Sequence, residues 1–157
     1  MATSLKSLAS VEDTKLLWAR AENHNLYVDQ DDKGVVWETR HIEAFLLQAT
    51  ILEGVLVNLG LKSLDDSPDL SAIRKLRKKQ YGLNDVINDL YLLGAINTDE
   101  FNKLREFKNK RNKYIHNLLS KDIKTIEKEV YKVYEDYKNL ILDMIAKLEK
   151  KLSKSKK

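Results

Sequence analysis

The chain contains no cysteine, which removes disulfide frameworks, thiolate nucleophiles and sulfur-ligated metals and agrees with a reducing compartment. One proline and five glycines in 157 residues are too few to punctuate many short strands. Gly54, Gly60, Gly82 and Gly94 are isolated, so no loop resembles a phosphate cradle, and no serine sits in a Gly-x-Ser-x-Gly elbow. Of the three histidines, His24, His41 and His116, the first two lack cysteine, histidine or acid partners at metal-ligand spacing. No zinc site, no other metal and no cofactor is therefore expected. Asp29 to Gly34 imitates the start of a calcium loop, but Lys33 stands at its fifth position and Arg40 at its twelfth, where oxygen ligands are required. Long apolar runs are also missing. Gln48 and Glu53 interrupt the best candidate for a membrane span, and Met1 to Ser10 has no apolar core of signal-peptide length. The expectation is a cytoplasmic protein with no membrane segment.

What remains is a chain rich in Leu, Lys, Glu, Asn and Ile, with an apolar fraction of 43%, the composition of a mostly helical globular domain. Its length suits one domain with a real core. The net charge of +4 leans mildly towards a polyanionic partner. Much of the excess lies in Lys147 to Lys157, where six lysines face one acid, Glu149. Such a stretch reads as a solvated tail able to collect RNA electrostatically.

Punctuation divides the chain into about five helical segments. The first covers Val11 to Glu22, with Ser10 as its cap. Leu26-Tyr27-Val28 and Val35-Val36-Trp37 flank the turn Asp29 to Gly34 as a small hairpin would. Glu38 to Leu61 is apolar around nearly its whole circumference and is expected to be the central helix. Ser67-Pro68 gives an N-cap and first-position proline for a helix through Ala72, Ile73 and Leu76. Gly82 interrupts it, and Leu83, Val86, Ile87, Leu90 and Leu93 resume helical spacing up to a stop at Gly94. Asn97 and Glu100 form a capping-box pattern for the next helix. Asp122 to about Leu152 then repeats apolar residues at three- and four-residue steps, a bundle seam. The expected architecture is a single all-α domain over 1–157. It comprises an N-terminal extension at 1–37 with the hairpin, an up-and-down bundle of four to five helices at 38–152 and a disordered basic tail at 153–157.

The most unusual residue lies in the helix after Asn97. Taking Phe101 as zero and about 100° per residue, Phe101, Leu104, Phe107, Tyr114, Ile115, Leu118 and Leu119 fall in one arc from about 220° to 360°. Arg111 falls inside that arc, at about 280°. A guanidinium aimed at its helix's own buried face requires a carboxylate, a phosphate or an opening, since an unpaired buried charge costs several kcal/mol. Glu53 on the central helix is the available carboxylate. Asn112 and His116 lie one turn apart on the rim of the same face. With no thiol, metal cluster or serine elbow, an inventory of Arg, His, Asn, Tyr and Lys suits metal-free phosphodiester cleavage.

Arg111-Asn112-Lys113-Tyr114-Ile115-His116 resembles the Arg-x(4–6)-His motif of the HEPN superfamily, in which a polar residue characteristically follows the arginine. Leu83 to Ile96 and Phe101 to Phe107 resemble the helix, glycine stop and following helix that lead into that motif. The resemblance covers roughly Glu38 to Leu148. It implies a helical-bundle homodimer whose motif helices face each other across a cleft. Many members act there as metal-independent endoribonucleases in defence or toxin–antitoxin systems, with an antitoxin or other protein partner. On that resemblance His116 transfers the proton, Arg111 holds the phosphate and the transition-state charge, and Asn112 orients the imidazole or a phosphate oxygen. Read from the residues themselves, Lys110 and Lys113 beside the motif are the lysines placed to guide RNA, and Tyr114 either stacks on a base or packs in the core. Many toxin members carry a tyrosine two residues after the histidine, where this chain has Leu118. Two alternatives stand beside this reading: a catalytically silent helical interaction module that binds a protein partner, with Arg111 serving structure, and a non-catalytic RNA or nucleotide binder using the same cleft.

Overall fold

The most apolar stretch of the chain becomes its central helix. In the computed structural model, which describes residues 11–26, 40–118 and 120–154, six helices follow one another: α1 (Val11–Leu26), α2 (Arg40–Asp65), α3 (Ser71–Lys79), α4 (Leu83–Leu92), α5 (Thr98–Asn117) and α6 (Ile123–Lys154). A 3₁₀ turn, Pro68–Leu70, precedes α3, and no strand occurs among the described residues. The all-α bundle is as expected, with six helices rather than four or five. The expected hairpin at residues 26–37 lies outside the described residues apart from Leu26, which ends α1.

α2 buries 15 of its 26 residues, on every side of the helix. It packs along α6 and also against α1, α3 and α4. Length and composition alone would let α2 cross a membrane, contrary to the expected interruption by Gln48 and Glu53, but two-thirds of its most apolar window is covered by the other helices. The main core joins Phe45, Leu52, Leu56 and Leu59 of α2 to Val86, Ile87 and Leu90 of α4, Leu104 and Phe107 of α5, and Val130, Ile141 and Met144 of α6. A second cluster joins Ala21, Ala44 and Tyr134, with Trp18 stacked on the Tyr134 ring at 5.9 Å between centroids. Through that cluster α1 belongs to the bundle, not to an extension outside it. The Tyr134 hydroxyl donates to Glu22 at 2.6 Å, which fixes α1 against α6.

Local signals act mostly as the chain chemistry dictates. Asn97 caps α5 by accepting from the Glu100 N–H at 2.9 Å, and Glu100 returns a bond to the Asn97 N–H at 2.9 Å. Gly94 ends the α4 region with φ of 68°, a left-handed conformation that glycine takes without penalty. Ser67 departs from expectation. It makes no side-chain cap, because the short link from α2 leads straight into the 3₁₀ turn. The C-terminal lysines are also less free than a solvated tail implies: α6 runs to Lys154, Lys147 binds Glu100 at 2.8 Å, and Lys151 pairs with Asp66 at 2.7 Å.

Candidate functional site

The capping box fixes where α5 begins, and the apolar spacing of Leu104, Phe107 and Tyr114 fixes its rotation. Phe107 and Tyr114 meet Phe45 of α2 at 6.0 and 5.9 Å between ring centroids, so large rings hold α5 over the central helix. On this buried face Arg111 takes the place of an apolar residue.

Its guanidinium reaches α2. Nη2 donates to Glu53 Oε2 at 3.1 Å, and Nη1 donates to the Asn112 Oδ1 at 3.1 Å. Nε is buried and makes no hydrogen bond. The side chains of Arg111 and Glu53 remain 32% and 41% exposed. The pair is therefore partly open to solvent and not a sealed ion pair.

His116 is exposed on the last turn of α5 and makes no hydrogen bond or ion pair among the described residues. Asn112 makes no hydrogen bond to it; its side-chain oxygen accepts from Arg111 instead. Lys113 is exposed, with Nζ 5.2 Å from the centre of the Tyr114 ring, while Lys110 pairs with Glu106 one turn back at 3.7 Å. Lys108 donates to Asn84 at 3.0 Å. Glu53 and Glu106 are thus the acids paired with the strongly basic stretch from Lys108 to Lys113 among the described residues.

Tyr114 corrects an expectation. It is only 7% exposed, with its ring edge-on to Phe45, so its faces are not available to a base. Burial, followed by the charge of nearby Glu129, holds its hydroxyl above the usual phenol range. Tyr81 is buried as well, and Tyr91 stacks on Phe101 at 4.5 Å. Base stacking would have to use other groups. Ile115 departs from the predicted arc in the opposite sense, being 36% exposed beside His116. Among the described residues no group of three or more His, Cys, Asp or Glu side chains is placed to hold a metal.

Sequence reasoning missed Glu127. Its carboxylate on α6 accepts the N–H groups of His41 at 2.6 Å and Ile42 at 2.9 Å, capping α2 from another helix. No local pattern signals a cap supplied from 85 or 86 residues away. Comparison with protein-family models, with curated proteins and with solved structures returns no match.

Proposed function

We propose that the chain is a HEPN-like, metal-independent endoribonuclease, of the toxin or defence type, whose working site forms where two copies bring their α5 helices together. The observation that carries this reading is Arg111, held on the inner face of α5 by Glu53 and Asn112 yet partly open to solvent, five residues before an exposed His116 that has no partner among the described residues. Five residues place the two side chains about 140° apart on one helix. Two copies related by a symmetry axis bring an arginine of one and a histidine of the other together more readily than one copy does.

In the proposed reaction the RNA 2′-hydroxyl attacks the adjacent phosphorus. The new bond is 2′-O–P, the broken bond is P–O5′, and the products are a 2′,3′-cyclic phosphate and a free 5′-hydroxyl. His116 takes the proton from the 2′-hydroxyl or returns one to the departing 5′-oxygen. The guanidinium of Arg111 offers paired N–H donors to the phosphoryl oxygens as charge grows on them. Lys113, exposed beside the site, attracts the backbone of the RNA.

Incubation with single-stranded RNA in excess EDTA tests this directly. Cleavage that leaves cyclic-phosphate and 5′-hydroxyl ends is the expected outcome, and cleavage that requires added Mg²⁺ or Zn²⁺ overturns the mechanism. The 3.1 Å pair with Glu53 favours a second reading, in which Arg111 anchors α5 to α2 in a catalytically silent interaction module. Intact RNA after prolonged incubation, with no growth defect on expression, selects that reading.

A further inference from the structure

α3 is mounted with its arginines inward and its apolar side chains outward. Nine residues long, it buries none of them. Arg74 pairs with Asp65 at the end of α2, and Arg77 pairs with Asp85 at 3.1 Å and Asp89 at 2.9 Å on α4. Taking Arg77 as zero, Ile73, Leu76 and Ala72 occupy the arc from about 320° down to 220°, and Lys79, Lys75 and Lys78 the arc from about 200° to 100°. The bundle holds the arginine edge and leaves the rest in water: Ile73 is 42% exposed and Leu76 60% exposed. The α4 stripe that receives Arg77, at Asp85 and Asp89, continues one turn further to Leu92, which is 81% exposed. Lys75, Lys78 and Lys79 make no ion pair among the described residues.

A helix free to turn would bury its leucine and solvate its arginines. The ion pairs of Arg77 and Arg74 hold α3 the other way round, with an apolar stripe bordered by uncompensated lysines. We propose that this face of α3 is a docking surface for an acidic amphipathic helix of a partner protein, whose apolar side chains cover Ile73 and Leu76 and whose carboxylates meet Lys75 and Lys79. The chemistry favours a protein over the other polyanions. RNA gains nothing from exposed Ile and Leu, and the stripe offers no aromatic ring for base stacking. Three apolar residues on a helix tied down by its arginines are too small a face to seat in a lipid interface. Charge complementarity with an anionic helix accounts for both the stripe and its rim.

The test uses the intact protein and a synthetic fluorescein-labelled peptide carrying leucines at helical i, i+3, i+7 spacing and glutamates on the flanks. Anisotropy is expected to show micromolar binding that weakens with salt. A scrambled peptide of the same composition, and the Ile73→Ser/Leu76→Ser variant, are each expected to bind at least tenfold more weakly. The Lys75→Glu/Lys79→Glu variant, which leaves the apolar stripe intact, is expected to lose the salt dependence together with most of the affinity. Equal binding of both peptides, no binding, or affinity indifferent to both variants overturns the proposal. Phosphatidylserine vesicles or single-stranded RNA that bind tighter than the peptide and respond to the same substitutions also overturn it, as does self-association abolished by Leu76→Ser, which assigns the face to a second copy.

Discussion

An exposed imidazole without a partner adds little packing, so His116→Ala is expected to leave stability within about 0.5 kcal/mol of the parent while abolishing RNA cleavage; thermal melts and a gel assay on the same preparation check both. Arg111→Ala separates the two functional readings. A sealed pair would strand a buried Glu53 at a cost of several kcal/mol, but Glu53 is 41% exposed and rehydrates, so the expected loss is about 1 kcal/mol. A much larger loss with no cleavage by the parent protein favours the anchoring role. Gly60 gives a third test, because a Cβ there would lie 2.5 Å from the Tyr81 hydroxyl and 3.0 Å from its ring. Tyr81 is buried, so its ring has little room to give and Gly60→Ala is expected to lower stability by about 1–3 kcal/mol in urea unfolding. Of the candidate site, the inward angle of Arg111 and its pairing with Glu53 follow from helical periodicity and from the one carboxylate placed to meet it. The burial of Tyr114 follows from the same periodicity, whereas the turn of Asn112 towards Arg111 was not legible, since it depends on rotamers.

Helix starts and stops carried by short-range chemistry could be read residue by residue, as Asn97, Glu100, Gly82 and Gly94 show, because both partners of each interaction lie within a few residues. Asn97→Ala is accordingly expected to cost about 1 kcal/mol, a fall of about 2–4 °C in melting temperature. Long-range devices were hidden. Nothing near α3 announces that distant aspartates turn its arginines inward, and nothing near α2 announces that Glu127 caps it. That capped end also sets a pH response. Burial, and then the charge of Arg40, hold the His41 imidazole below its ordinary value of 6.5, with Glu135 opposing and the ring packed on Tyr131 at 4.6 Å. The unfolded chain therefore binds the extra proton first. The stabilising contribution is complete above about pH 6.5 and is lost as pH falls through the depressed folded value. Glu127 has the opposite sign: burial raises it against the pull of two N–H donors, so its contribution is complete below the ordinary value of 4.5 and declines as the carboxyl ionises. Melting temperature is expected to fall from pH 7 to pH 5.5 in the parent and to fall less in His41→Phe, which keeps a ring against Tyr131.

A single bundle covers the core of α5 but leaves Ile115, Lys113 and His116 together at its open edge. An apolar side chain beside exposed basic groups is what the proposed interface between two copies needs, and a site shared between copies would tie chemistry to association. The rate per chain should then depend on protein concentration. At concentrations where light scattering gives twice the 18.2 kDa chain mass, cleavage is expected at full rate, and dilution below the dissociation constant should extinguish it with an unchanged helical circular-dichroism signal. Ile115→Glu would place two like charges at the proposed symmetric contact, so it is expected to yield a folded monomer whose residual cleavage rises with concentration. A parent protein that is monomeric at every concentration yet cleaves RNA at a constant rate per chain would remove the shared site and leave Arg111 and His116 to act within one helix, where their angular separation requires the substrate to wrap around α5.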